Sequence, residues 1–366
     1  MLLVVLGCAS EGPHYAISSS HARQDRDELI LTRYWQRSAP LTFGMEYENR
    51  HEYFVAPLHD EKLGAAQRLE RGDWGELALL FPVTGTGLYV RVLVGIDTIG
   101  FAQVAPGRAT RNLDEAGLSR QTAWAVTRDG RHLLVIDPRG LRIIDTAATR
   151  TVERRERDTL VEVQRAIVEH FGSAGTWFVS NDLRHVVVKT PDWVYADAHS
   201  MTPEPVKFVV AGTDFTAGSD GLIYDRQTRS LSRFPLALNM PAAPIRYRIE
   251  LKVADAHEGS VLLVYVGTKE TGERVVVVAS PDLAWQRVGE VPFRSRDLFA
   301  LVGVEFRPER KQVRLLECAA PHQQPGGSGH APDFYLHTWN FETNTTVVTP
   351  LVGSQIVSAI DQAKPR

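Results

Sequence analysis

Twelve histidines and two cysteines give this 366-residue chain its main scope for metal or nucleophilic chemistry. His322, His330 and His337 fall close together, but no two histidines stand four apart as a helical zinc pair requires. Asp214-Phe-Thr-Ala-Gly-Ser-Asp220 places oxygen ligands at intervals. It lacks the order and the closing Glu of a calcium loop, so it reads as a turn. The nucleophile elbow G-x-S-x-G is absent, and so is the phosphate-cradling G-x-x-x-x-G-K-[ST]. Acid pairs such as Glu46 with Glu48 and Asp25 with Asp27 are expected by chance among 44 acidic residues. Cys318 ends an apolar run, Val313-Arg-Leu-Leu-Glu-Cys318, and reads as a small buried hydrophobe. No catalytic, cofactor-binding or metal-ligating residue is assigned, and no cofactor is expected.

The formal net charge is −3. Nucleic acid and anionic membrane surfaces select basic partners, so neither is expected as a ligand. Two cysteines cannot build a disulfide framework. The first, Cys8, closes Val5-Leu6-Gly7-Cys8, which resembles the end of a bacterial lipoprotein signal. That makes Cys8 the candidate lipidation site, although only seven residues precede it, fewer than a complete signal has. Residues 1–11 are read as this apolar segment and its tether, 12–360 as one folded domain, and 361–366 as a tail. With Cys8 lipidated the chain belongs to the bacterial cell envelope; otherwise it is cytoplasmic. No run of 18 apolar residues suggests a membrane span.

The organising feature is a repeat. Trp124-Ala-Val-Thr-Arg-Asp-Gly-Arg-His-Leu-Leu-Val-Ile-Asp-Pro138 aligns without gaps with Trp177-Phe-Val-Ser-Asn-Asp-Leu-Arg-His-Val-Val-Val-Lys-Thr-Pro191, at an offset of 53 residues (177 − 124). Seven of the fifteen positions are identical, His132 and His185 among them. Recurrence of a histidine in successive units argues for a structural role. Within each copy, a short strand, an Asp-Gly type turn and an apolar return strand follow one another. Gly140–Asp145 and Arg150–Glu153 read as third and fourth strands. The same closing pattern, an apolar strand followed by an acidic turn, recurs near Asp60, Asp97, Asp145, Asp197, Asp225, Asp282 and Glu342. The mean step is about 47 residues, inside the range of β-propeller blades.

Thr127-Arg-Asp-Gly-Arg131 and Ile144-Asp-Thr-Ala-Ala-Thr149 resemble the WD40-like and YVTN-like repeats of bacterial β-propellers. The resemblance implies an all-β propeller of four-stranded antiparallel blades, and seven anchors predict seven blades. Asn181-Asp-Leu-Arg184 lacks the glycine of that pattern, so its turn is expected to differ or to be strained. Val352–Ser358 is expected to pair with an N-terminal strand and close the ring. Two tandem β-sandwiches are the alternative fold.

One helix interrupts the repeat, near residues 158–171. Apolar residues recur three and four apart, Thr159 and Glu162 suggest a capping box, and Gly172 suits its end. The segment Pro321–Pro332, rich in Gly and Pro, reads as a solvent-exposed loop. A repeat with no catalytic signature points to a non-enzymatic binding or scaffold protein, a monomer recognising a protein or glycan on one face. The alternative is a hydrolase, lyase or lactonase-type enzyme with its site in the axial funnel. Polar side chains converging on the axis would favour the enzyme.

Overall fold

The structure is a computed structural model that describes residues 13–22, 27–41, 44–59, 62–73, 76–95, 98–113, 118–191, 207–216, 218–238, 249–319 and 331–363. Among the described residues six antiparallel sheets of four or five strands follow one another along the chain, with a separate two-stranded hairpin inserted in the fourth. Blade 1 begins with His14–Ala22, blade 2 with Leu77–Pro82 and blade 3 with Ala123–Val126. Blade 4 begins with Thr176–Val179, blade 5 with Ile249–His257 after a two-residue edge pairing, and blade 6 with Leu301–Arg307.

Each sheet has an apolar layer on both faces. Ile30, Tyr53 and Val55 of blade 1 meet Ala78, Leu80 and Tyr89 of blade 2. Equivalent layers join blade 2 to 3, 3 to 4, 4 to 5 and 5 to 6. The last layer joins blade 6 back to blade 1, where Leu316, Phe334 and Leu336 pack on Tyr15, Ile17 and Phe54. Six sheets and six layers therefore form a closed β-propeller. Coverage on both faces explains why central strands such as Arg274–Ala279 are buried at every residue rather than at alternate ones. Each fully buried Val or Leu contributes about 1.5–3 kcal/mol, so the inter-blade layers dominate stability.

The blade count is six, not seven. From the sequence, Asp197 and Asp225 are taken as the ends of separate blades; Asp225 ends the third strand of blade 4, and no separate four-stranded sheet stands between blades 3 and 4 or 4 and 5 among the described residues. In blade 4 the second strand, His185–Lys189, pairs directly with Asp220–Asp225. The intervening stretch carries an inserted hairpin, Lys207–Val210 with Thr213–Thr216. Asp60, Asp97 and Asp197 lie outside the described residues. The repeat itself holds. Trp124 pairs with Val135 and Trp177 with Val188, the same rung at the same offset of 53. Trp124 faces the layer toward blade 2, against Phe81 and Phe101, and Trp177 faces the layer toward blade 3. Each tryptophan thus looks back at the preceding blade.

Closure also differs from expectation. The chain from Val352 forms no strand. Gly353–Asp361 is a helix that lays Ile356, Ala359 and Ile360 on the layer between blades 6 and 1. Residues 301–351 already supply four strands to blade 6, so no strand is needed from the other end of the chain. The inserted helix spans Thr159–Phe171, between blades 3 and 4. Its N-cap is Asp158, which accepts from the Leu160 amide, rather than Thr159 in a capping box. Gly172 ends it at φ 66° as the sequence suggested.

Candidate functional site

The first strand of each blade runs beside the axis; those of blades 3 and 4, 4 and 5, 5 and 6, and 6 and 1 touch one another. Chain direction then separates two faces. The turns after first and third strands emerge on one face, here the turn face. The connections after second and fourth strands emerge on the other.

The turn face is built from a small set of repeated networks. In Thr127–Asp129, Ser180–Asp182 and Ser280–Asp282 the hydroxyl donates to the carboxylate at 2.5–2.6 Å. The same carboxylates accept the amides of Arg131, Arg184 and Ala284. Asp145, Asp225 and Asn340 hold a second kind of turn, each accepting two amides ahead of it. Such Asx turns need no ligand, because the side chain substitutes for a backbone acceptor. Arg184 and the amides of Gln227 and Thr228 hold the Asp225 carboxyl well below its ordinary value, the Arg184 bond contributing most.

Close to the axis on this face, charged residues of different blades meet. Arg128, in the first turn of blade 3, sits 2.6 Å from Asp255 of blade 5 and 2.6 Å from Glu309 of blade 6. Asp255 is buried, and desolvation raises its carboxyl to about 6 despite Arg128. At the seam between blades 1 and 6, Asp27 receives Arg307 at 2.8 Å and also pairs with Arg314. Glu305 holds Arg307 at 3.1 Å and Arg314 at 3.6 Å. Arg307 and Arg314 are buried. Each of these seven groups has an opposite charge as partner. The arrangement ties blades 1, 3, 5 and 6 together at one end of the axis.

The first strands expose apolar residues toward the other end. Phe81 of blade 2 meets Trp124, and Leu79 and Leu77 lie two and four residues further from the turn face, both exposed. Val302 is exposed in the first strand of blade 6, and Phe299 before it is 70% exposed. On this face three blades carry long connections between second and third strands. In blade 1, Asp27–Leu41 and Gly44–His59 pair along their whole length and project beyond the first strand, whose pairing ends at Tyr34. In blade 4 residues 190–219 separate the second and third strands, the hairpin Lys207–Val210 with Thr213–Thr216 among them, and in blade 6 residues 319–333 do; 192–206, 217 and 320–330 lie outside the described residues.

A second buried polar group lies between blades 5 and 6. His337 Nε2 is 2.7 Å from Glu317, whose other oxygen accepts the Ser295 amide at 2.6 Å. Phe293 stacks on His337, with Arg274 on the ring's other contact at 4.5 Å. Burial lowers the Arg274 value; its NH groups donate to the carbonyls of Gly272 and Asp297. His337 and Glu317 are almost wholly buried, at 1% and 0% exposure.

Of the residues singled out in the sequence, His132 and His185 occupy equivalent rungs, opposite Asp145 and Asp225. His337 lies in the blade interior; His322 and His330 lie outside the described residues, as does Cys8. Asp220 accepts the Thr216 amide and shapes a turn. Cys318 is buried. No group of three His, Cys, Asp or Glu suited to a metal occurs among the described residues. Nor, among them, is any helix long and apolar enough to cross a membrane. Arg128, Asp255, Glu305, Arg307, Glu309 and Arg314 escaped sequence reading, because they come from different blades. Asp27 was visible only as half of a chance pair.

No family profile matches the chain. No curated protein matches it either. Solved structures that resemble it include one from a study of two prolyl endopeptidases, at 10% identity and TM-score 0.42, covering 92% of this chain and 50% of that one. The chain thus spans half the length of that protein. The β-propeller domain of the trilobed protease from Pyrococcus furiosus shares 12% identity at TM-score 0.40, covering 92% and 97%. TolB from Acinetobacter baumannii shares 10% at TM-score 0.28, covering 87% and 80%. The fold stands on its own six sheets, and none of these resemblances bears on what the chain does.

Proposed function

We propose that this propeller is a non-enzymatic binding or scaffold protein that recognises a protein or a glycan on the face opposite its tight turns. The observation that carries the reading is the division between the faces. Long connections of blades 1, 4 and 6 emerge together on one face, where Leu77, Leu79, Phe299 and Val302 are exposed. Rigid scaffolds commonly place recognition on such loops. On the turn face the converging acids and arginines neutralise one another, as groups that tie blades together do. Polar groups converging near the axis are the feature that favours the enzyme, and Arg128 and Glu309 keep side-chain exposure of 34% and 45%, so an axial hydrolase is the second reading, which the turnover arm of the test separates.

The test pairs binding with turnover. Glycan arrays and crosslinking to envelope proteins are run with the intact chain and with a variant in which 192–216 is replaced by a short Gly-Ser link. Loss of a ligand in the variant, with unchanged thermal melting, supports the reading. Hydrolysis of ester, lactone or peptide substrates that disappears in Arg128→Met would overturn it in favour of an axial hydrolase.

We also propose that Cys8 carries lipid and holds the chain at the bacterial envelope. The sequence Val5-Leu6-Gly7-Cys8 supports this. Labelled palmitate incorporated by the chain expressed with its native upstream region, and lost in Cys8→Ser, is the expected result. Absence of label would remove the anchor and leave the chain cytoplasmic.

A further inference from the structure

Blade 1 carries a row of charge that the ring does not neutralise. Tyr15, Arg33, Glu52 and Arg71 stand at one rung across four strands. Glu52 is the buried anchor. It receives Arg33 through Nε at 3.0 Å and Nη2 at 2.6 Å, Arg68 at 3.2 Å and Arg71 at 3.7 Å. Asp361 of the C-terminal helix adds a second carboxylate, 3.4 Å from Arg33 and 2.9 Å from the Tyr15 hydroxyl. Two residues further toward the projecting end of the hairpin, Trp35 pairs with Arg50. Alternate residues of a strand share a face, so Trp35 and Arg50 continue the face of Arg33 and Glu52. The Arg33 guanidinium lies 5.4 Å from the Trp35 ring.

Three guanidiniums, those of Arg33, Arg68 and Arg71, thus share two carboxylates in a chain whose net charge is negative, and Arg50 adds a fourth positive charge one step along the same face. Arg68 and Arg71 retain side-chain exposure of 32% and 49%. One shared carboxylate cannot occupy all their donors, and a guanidinium fork matches a carboxylate bidentately. Further along the same face, next to Arg33, Trp35 adds a flat apolar ring, the kind of surface that accepts the C–H face of a pyranose. A buried acid that fixes several arginines also makes the site preorganised, which reduces the ordering cost of binding.

We infer that the Trp35–Arg50–Arg68–Arg71 face of blade 1 is a binding site for a carboxylate-bearing saccharide. The inference rests on the binding reading above and names its ligand class. The site lies on the end of blade 1 from which the hairpin projects, the same face as the other long connections.

Titration calorimetry with short oligomers of galacturonate, glucuronate and sialic acid tests it, with the methyl-esterified oligomers, tetraglutamate and sulfate as controls. At least one acidic oligomer is expected to bind. Its ester, and the variant Arg68→Gln/Arg71→Gln, are expected to bind at least about tenfold more weakly, and added salt is expected to weaken binding. Trp35→Phe is expected to retain most of the affinity that Trp35→Ala loses. Melting temperature checks that each variant folds. If no acidic oligomer binds, or esters or the arginine variant bind equally well, the inference is overturned. The same holds if tetraglutamate or sulfate binds as tightly as the saccharides. A neutral glycan or a protein bound independently of Arg68 and Arg71 would overturn this site while leaving the broader binding reading in place.

Discussion

The Arg128 guanidinium reaches Glu309 at 2.6 Å, from the third blade to the sixth of a six-membered ring. Those two blades are opposite each other, so the contact spans the axis. Its second arm reaches the buried Asp255 of blade 5 at 2.6 Å. Removing one partner of a buried pair strands the other without compensation. Arg128→Met is therefore expected to lower unfolding stability at neutral pH by about 2–4 kcal/mol. Arg128→Met combined with Asp255→Asn should recover a large part of that loss. Urea unfolding of the three variants measures both numbers, and additive losses would show that the pair is not coupled.

Asp255 also predicts a pH dependence. Its carboxyl rises from an ordinary 3.8 to about 6 in the folded chain, burial being the main cause. A folded state that holds the proton more tightly gains stability as pH falls from about 6 toward 4. Conversely, stability declines as pH rises through that window. The linked change for a shift of this size is about 3 kcal/mol. Asp255→Asn should flatten this part of the stability profile without lowering the plateau at pH 7. Denaturant midpoints recorded between pH 4 and 7 for both proteins test it; parallel curves would contradict the assignment.

The repeated turns give a third prediction. Gly130 and its copy Leu183 both adopt positive φ, 70° and 60°. Their surroundings differ. A Cβ on Gly130 would lie 2.2 Å from the Pro82 carbonyl oxygen of blade 2. Leu183 has room and packs against the layer between blades 3 and 4. Gly130→Leu, which copies the sister turn, should therefore destabilise by more than about 2 kcal/mol, since backbone must move. Leu183→Gly exchanges relief of left-handed strain, about 1 kcal/mol, against lost apolar contact, and should come out near neutral. Thermal melts of the two single variants separate these outcomes.

Much of the ring was legible because its signals are local. The Asp129-Gly130 turn, the apolar return strands and the Asp145 turn are set by neighbours within a few residues. The helix at Thr159–Phe171 was legible from its three-four spacing. The blade count was not, because strands two and three of blade 4 are separated by an insertion with its own hairpin, and a hairpin looks like a blade edge in sequence. The terminal helix was misread as a strand although Ile356, Ala359 and Ile360 carry helical spacing. The axial charges were invisible for a different reason: Arg128, Asp255 and Glu309 are more than fifty residues apart, and only the ring brings them together. The Arg33–Glu52 rung was hidden likewise, since nothing in one strand announces what stands opposite it.

Closure of the ring carries the last prediction. Among the described residues every blade is built from its own stretch of chain, and no shared strand joins blade 6 to blade 1. The seam relies instead on its apolar layer, on Asp27 between Arg307 and Arg314, and on the helix Gly353–Asp361. Ile356 and Ile360 of that helix are buried. Asp361 binds Tyr15 and Arg33 of blade 1. Ending the chain after Leu351 removes both apolar anchors and the Asp361 bonds, and exposes part of the seam. Burial of two isoleucines is worth about 3–6 kcal/mol, so the truncated chain should melt well below the full one. Loss should also be local at first. Hydrogen exchange is expected to rise in His14–Ala22 and Phe334–Leu351 before blades 3 and 4 respond. Uniform acceleration across all six blades would mean that the seam is no weaker than any other junction, and that apolar layers alone close the ring.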